Sequence, residues 1–175
     1  DENGREYLSR IERAGRRMDR LTRDILTYSK ISRTAAQVES IGLEALVAEL
    51  VEQQRQDSPQ AVIELVRPMP MVTGNEPMLT QVLSNLLGNA LKFARPGVPP
   101  AVEVFTRKRG NRARIVVKEN GLGVEPANQT KIFRIFERAV GVDVPGTGIG
   151  LAIVKKAAER MGGTVGVDSK PGRGS

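Results

Sequence analysis

One helical stretch carries side chains that could bind a metal ion and a phosphate. In EPMLTQVLSNLLGNALKFA, residues 76–94, a helical period places on one face Gln81, Asn85, Asn89 and Lys92. Asparagine is a poor helix former, so two of them one turn apart are unusual on a face that only needs to be solvated. Magnesium prefers oxygen ligands shared with substrate phosphates, so the amides could ligate a cation while the lysine contacts phosphate. The alternative is the solvent side of an amphipathic helix, and the pattern alone favours neither.

A carboxylate stands where an alternating strand ends. In RARIVVKEN, period-two alternation places Glu119 on the same face as Ala113, Ile115 and Val117. A carboxylate at the edge of an apolar layer is costly unless hydrogen-bond donors meet it, and the exocyclic amine of adenine is one such donor. Gly121 and Gly123 follow, and glycine lets the backbone approach a flat ring closely. If the alternation ends before Glu119, however, this stretch is only an exposed turn.

A glycine-rich segment leads directly into a helix. In GTGIGLAIVKKAAERMGG, residues 146–163, the glycines would present backbone N–H groups and the positive end of the helix to a phosphate. Flexible linkers can show similar glycines. Here they open a helix with an apolar face formed by Leu151, Val154, Ala158 and Met161. The pattern therefore favours a phosphate site.

The elements that would position these groups follow an α+β order. Hydrophobic periodicity predicts helices over residues 5–32, 43–56, 76–94 and 149–161, and strands over residues 61–66, 101–106, 112–119 and 164–168. Residues 67–77 are predicted to form a loop, and Gly110 with Asn111 a tight hairpin turn. An antiparallel sheet covered on one face by helices would bury the apolar residues.

The first helix is long, amphipathic and rich in arginine. Its apolar stripe recurs at steps of three and four residues, at Leu8, Ile11, Gly15, Met18, Thr22, Ile25 and Ser29. This spacing is typical of a helix that pairs with other helices in a bundle. We place the domain boundary within residues 32–36.

Composition limits the possible functions. The 175 residues carry a net charge of +7 and include neither cysteine nor histidine, which excludes disulfides, thiolate or imidazole metal sites, and a histidine base or nucleophile. The basic cluster at residues 107–114 has no interleaved aromatic residue, which favours a solvated hairpin tip over a nucleic-acid partner. No apolar run is long enough for a membrane span or signal peptide. We expect a cytoplasmic chain, whose parent protein could be membrane-anchored.

Four segments together resemble a known family. NLLGNALKF, ENGLG, KIFRIFERA and GTGIGLAIVKKAAERMGG follow in the order and spacing of the asparagine, first glycine, phenylalanine and second glycine boxes of sensor histidine kinases. The N-terminal helix, residues 1–33, resembles the second helix of their dimerisation hairpin. For residues 37–175 the resemblance implies the ATP-binding Bergerat-type α/β sandwich, a mixed sheet covered on one face by helices. In the family, a final strand would begin about where this chain ends.

The resemblance also implies roles for individual residues. It makes Asn89 the ligand of Mg²⁺, with Asn85 supporting that site, and Lys92 a phosphate contact. It makes Phe133 and Phe136 the anchors of a mobile lid that runs to about residue 145. The other residues that it places around ATP are Phe93, Glu119, Gly121, Gly123, Gly146, Thr147, Gly148, Gly150 and Leu151.

The implied activity is ATP-dependent phosphorylation of a histidine. The family carries this histidine on the first hairpin helix, whereas the present sequence contains no histidine. The phosphoacceptor would therefore lie on a helix outside this chain, in the same or a partner subunit. The resemblance also implies a response regulator as partner and a homodimer in the full-length protein, and no nucleic acid is expected.

Two alternative functions stay open. The family normally has aspartate where Glu119 stands, and a displaced polar contact could cost about 1–3 kcal/mol, so a weak nucleotide-binding or scaffold module is one alternative. An ATP hydrolase of the gyrase or mismatch-repair type is the other. Those enzymes resemble one another in having, at the position of Asn85, a glutamate that acts as general base. Asparagine cannot accept that proton, so we expect negligible ATPase activity.

Overall fold

Helices and strands follow one another irregularly along the chain, in the order of an α+β fold. The structure, a computed structural model, describes residues 2–33, 37–137 and 146–175. Its elements are α1 (Glu2–Arg33), β1 (Glu39–Gly42), α2 (Leu43–Asp57), β2 (Val62–Leu65), β3 (Met71–Gly74), α3 (Glu76–Lys92), β4 (Ala101–Arg109), β5 (Arg112–Glu119), a short 3₁₀ helix (Pro126–Asn128) and α4 (Gly150–Arg160). The predicted fold class is confirmed. The boundary predicted within residues 32–36 falls largely outside the described residues and stays a prediction.

The main sheet is mixed, with strand order β2-β4-β5. β4 and β5 pair antiparallel and place Val102 opposite Glu119, while β2 runs parallel to β4. The prediction of a purely antiparallel sheet is therefore wrong, because the connection from β2 to β4 contains α3 and crosses over the sheet. The predicted hairpin turn is confirmed, with Gly110 at a φ of 61°. One sheet face is covered by helices, whereas Val62 on the other is 64% exposed.

Two short strands lie where the sequence predicts only connecting segments. β1 and β3 pair antiparallel, with Glu39 opposite Gly74 and Gly42 opposite Met71. The prediction of a loop over residues 67–77 is therefore wrong for residues 71–74, which form β3. Each strand has four residues, too few for a reliable alternation, and its partner is distant in the sequence.

The strand predicted over residues 164–168 does not form a ladder in the structure. The residues have the expected alternation, but a cavity separates them from β5. A strand is defined by the hydrogen bonds to its neighbour, which the local pattern does not reveal. The prediction is wrong for the structure as described.

Helix α3 lies at the centre of the fold and contributes to both hydrophobic clusters. Towards the sheet and α2 it contributes Leu79, Leu83 and Leu87, which pack with Val47, Val51, Ile63, Val102 and Val104. Towards α1 and α4 it contributes Met78 and Val82, which pack with Ile31, Ile149, Ile153, Val154 and Ala157. Because two of its sides are buried, the direction of its polar face is fixed.

Both ends of α3 are held by specific hydrogen bonds. The side chain of Asn75 caps the first turn by accepting from the N–H of Met78 at 3.0 Å. At the other end, the N–H of Phe93 donates to the carbonyl of Asn89 at 3.0 Å, and the carbonyl of Phe93 accepts from Leu122 at 2.9 Å. The helix end is thus tied to the turn that follows β5.

Helix α1 is only partly covered. Its C-terminal half packs against α3 and α4 through Leu21, Tyr28 and Ile31. Leu8 and Ile11 in its N-terminal half are each 67% exposed. Across the described ranges, no helix is both long and apolar enough to cross a membrane.

Candidate functional site

The predicted site residues converge on one cavity of about 1170 Å³ between α3, the end of β5 and the start of α4. Its wall includes twelve of them: Asn85, Asn89, Lys92, Phe93, Glu119, Gly123, Phe133, Gly146, Thr147, Gly148, Gly150 and Leu151. Two others do not line it: Gly121 is buried behind the wall, and Phe136 is 60% exposed. The cavity is large enough for a nucleotide and also extends along the edge of β5.

The amide face of α3 meets the glycine-rich loop. Asn85 donates from Nδ2 to the carbonyl of Gln81 at 2.8 Å. Its Oδ1 faces Gly150, where an added Cβ would lie only 2.7 Å from that oxygen. Asn89 lines the same cavity one turn further along the helix. Asn85 therefore stands beside the backbone that begins α4, and Asn89 lies in the same cavity.

Lys92 brings a positive charge to the same loop. A Cβ added to Gly146 would lie 2.5 Å from Lys92 Nζ, so the ammonium lies directly against the first glycine. The same Nζ stands 4.7 Å from the centre of the Phe93 ring. An ammonium beside backbone N–H groups is a suitable arrangement for a phosphate.

Glu119 points towards the cavity, as its alternation predicts. It shares a face of the sheet with buried Val102, and the alternative of an exposed turn is wrong because its side chain is partly buried. Its Oε2 accepts a hydrogen bond from the N–H of Gly121. Its other oxygen accepts none from the residues that the structure describes, and so is available to a donor in the cavity.

The glycines after β5 are required by packing against the protein itself. A Cβ on Gly121 would overlap the carbonyl oxygen of Phe93, and one on Gly123, at a φ of 68°, would overlap the carbonyl of Lys170. The sequence points to these positions for a different reason, the close approach of a flat ring. The contacts instead join the end of α3, the end of β5 and the C-terminal segment.

Within the part of the chain that the structure describes, the N-cap residue of α4, Ile149, makes no side-chain capping hydrogen bond. Gly148 has a φ of 74°, which glycine adopts at little cost, and its carbonyl accepts from the N–H of Phe136 at 2.9 Å. Backbone N–H groups in the first turn of α4 therefore receive no oxygen from the N-cap side chain, and an anion can take that place.

The cavity wall also includes two residues of α1 that the sequence does not single out, Arg20 and Asp24. The carboxylate of Asp24 accepts a hydrogen bond from the hydroxyl of Thr147 at 2.5 Å. The sequence holds no local signal for this contact, because an acid and an arginine one turn apart are common on any exposed helix.

Comparison with known proteins gives the family. Residues 74–175 match the family described as histidine kinase-, DNA gyrase B-, and HSP90-like ATPase. The chain belongs to this ATPase family. The cavity therefore lies in a domain of a nucleotide-binding family, and all four of the sequence motifs contribute residues to the cavity wall.

Relatives of this ATPase-family chain cover nearly all of it. It is 32% identical over 177 residues to the phytochrome-like protein Cph1 of Synechocystis, covering 100% of this chain and 24% of that protein. It is 31% identical over 170 residues to the methanogenesis regulatory histidine kinase FilI of Methanothrix harundinacea, covering 96% of this chain and 19% of that protein. The chain thus spans about a fifth to a quarter of these curated relatives.

A solved structure shares the arrangement of this ATPase-family domain and its N-terminal helix. Full-length ShkA in complex with AMPPNP superposes with a TM-score of 0.76 at 30% identity, covering 97% of this chain and 36% of that one. The superposed part of this chain includes α1 as well as the domain that follows it.

The predicted lid is described only at its start. Phe133 lines the cavity, and Phe136 has a φ of 65°, which is uncommon for a residue with a side chain. Residues 138–145, the rest of the predicted lid, lie outside the described residues.

Proposed function

We propose that this chain binds ATP with Mg²⁺ and transfers the γ-phosphoryl group to a histidine on a separate helix, as the catalytic part of a sensor histidine kinase. The observation that supports this most strongly is the convergence of an amide-bearing helix, a strand-end carboxylate and a glycine loop on one cavity. The name of FilI, a histidine kinase, points to the same activity.

In this proposal each part of the cavity contacts one part of the nucleotide. The free oxygen of Glu119 would accept from the exocyclic amine of adenine. The N–H groups at the start of α4, together with Lys92, would hold the phosphates. Phe133 and Phe136 would anchor the lid that closes over them.

The amide pair on α3 is suited to magnesium. In the described part of the chain, no group of three or more acidic, histidine or cysteine side chains could hold a metal ion alone. Asn89 would therefore share the ion with phosphate oxygens, and Asn85 would support it. When bound, the ion would neutralise phosphate charge. The residues' own contribution is to position the γ-phosphoryl group.

The transfer step needs a nucleophile from outside the chain, which contains no histidine. An imidazole nitrogen would attack the γ-phosphorus, and the bond to the bridging oxygen would break, releasing ADP. The exposed stripe of α1, with Leu8, Ile11, Met18 and Ile25 between 46% and 67% exposed, would pair with the helix that carries this histidine. We further propose a homodimer, a response regulator that receives the phosphoryl group, and a location in the cytoplasm, where ATP is available.

The proposal predicts that labelled ATP and Mg²⁺ will place acid-labile label on a separately made hairpin helix bearing the histidine. A matched helix with alanine in place of that histidine should stay unlabelled. ATP binding without transfer would instead favour the nucleotide-binding or scaffold alternative. Rapid phosphate release without the helix would favour the hydrolase, and we expect negligible release because Asn85 is no general base.

Replacing Glu119 should weaken binding of the base only. Glu119→Ala is expected to lower ATP affinity about 10- to 100-fold, since a hydrogen bond to a charged group contributes about 1.5–3 kcal/mol. Binding of inorganic tripolyphosphate should not change. Glu119→Asp should stay within about tenfold of the native chain, because the charge is kept. Calorimetric titration of all three chains checks this, and native ATP affinity in Glu119→Ala would exclude the role.

A further inference from the structure

One contact joins α1 to the glycine-rich loop. The hydroxyl of Thr147, between two glycines of the loop, donates to Oδ2 of Asp24 at 2.5 Å, across 123 residues of sequence. Both residues are partly buried, and both line the cavity. The adjoining part of α1 is fixed, because Tyr28 and Ile31 pack into the cluster formed with α3 and α4.

This contact occupies the only hydrogen-bond donor of the Thr147 side chain. A threonine hydroxyl has one O–H, so while it donates to Asp24 it cannot donate to a phosphate. The same hydroxyl oxygen accepts a hydrogen bond from the backbone N–H of Ile149, at the start of α4, with 3.4 Å between nitrogen and oxygen. The carboxylate is thus connected to the backbone that would receive the phosphates.

The negative charge of Asp24 has the same sign as the charge of a polyphosphate ligand. Lys92 Nζ lies against Gly146 on one side of the loop, and the Asp24 carboxylate lies against Thr147, the next residue. A carboxylate at a partly buried position repels a polyphosphate more strongly than it would in bulk water, because the local dielectric response is weaker. The repulsion grows with the number of phosphates and is absent for a nucleoside.

We propose that Asp24 is a positioning residue that holds the Thr147 hydroxyl away from the phosphates and lowers the affinity of this site for nucleoside polyphosphates. The affinity then depends on where α1 lies, since α1 carries the carboxylate. By linkage, nucleotide binding weakens the Asp24–Thr147 contact to the same extent. This inference rests on the proposed function, because it requires ATP in the cavity.

The test compares three ligands that differ in phosphate number. ATP, ADP and adenosine are titrated into the native chain and into its Asp24→Asn and Asp24→Glu variants. We expect Asp24→Asn to bind ATP about tenfold more tightly than the native chain does. The gain in affinity should be smaller for ADP and absent for adenosine, and Asp24→Glu should keep affinities near the native values. Asp19→Asn is the matched control, because Asp19 lies on the same helix and pairs with exposed Arg23.

Each outcome decides between the possible roles. If the affinities for all three ligands change equally in Asp24→Asn, or if ATP binds more weakly to it, the contact is merely structural and the inference is overturned. If the native chain binds ATP and Asp24→Asn binds it with the same affinity, the inference is overturned while the proposed function stays intact. If the native chain binds neither ATP nor ADP, the proposed function fails and the inference fails with it.

Discussion

Asn89→Ala is expected to remove the magnesium dependence of ATP binding and to lower phosphoryl transfer by about 100-fold or more, the scale seen when a group that stabilises transferred charge is deleted. The physical reason is that the amide oxygen on the cavity wall is lost, whereas the apolar sides of α3 are not altered. Titrations with ATP at several magnesium concentrations measure the first effect, and label transfer to the histidine helix measures the second.

The control for this change is Asn111→Ala. Asn111 lies in the exposed turn between β4 and β5 and does not line the cavity, so the same atoms are removed outside the cavity wall. Its binding and transfer should equal those of the native chain. If Asn89→Ala retained native magnesium dependence, the ion would have to be held elsewhere, and our assignment of the amide pair would be wrong.

Gly121→Ala is expected to reduce both stability and nucleotide affinity. The added methyl group would overlap the carbonyl oxygen of Phe93 and stand 2.5 Å from Oε2 of Glu119. Overpacking of this kind typically costs about 1–3 kcal/mol. The strain also displaces the carboxylate that faces the cavity. Urea unfolding gives the loss of free energy, and ATP titration under native conditions gives the loss of affinity.

Gly88→Ala is the matched control on α3. Apart from its own stretch of helix, no described residue lies within 4 Å of a Cβ at this position, which is in the helix but not on the cavity wall. Alanine there should raise the free energy of unfolding by up to about 1 kcal/mol, because glycine is the poorer helix former. Native stability in Gly121→Ala would show that the end of α3 can move, and that the turn is less rigid than its contacts indicate.

An element is predictable from the sequence where local pattern and tertiary packing agree. α3 is predictable because its apolar period is long, and the structure buries that face on two sides. The direction of Glu119 follows from strict alternation along β5, whose predicted bounds are those observed. The mixed sheet came from the resemblance and not from the pattern, because local alternation does not record whether a neighbour runs parallel or antiparallel.

What the sequence missed depends on contacts between distant segments. β1 and β3 are four residues each and exist because they pair with each other. The sequence singles out Gly121 for the close approach of a flat ring, whereas the approach visible in the structure is that of Phe93, which lies on another element. Nothing in the sequence singles out Asp24. Its contact depends on how α1 packs against α4, and no periodicity within α1 encodes that arrangement.

The most direct test of the account is a nitrogen-15 NMR titration of the chain with ATP and Mg²⁺. Asn89, Glu119 and Gly148 come from three separate motifs and line one cavity. We predict that their three amide signals shift together and follow a single dissociation constant. Signals that stay unchanged at all three positions, or that titrate with unrelated constants while another surface responds, would contradict a single nucleotide site.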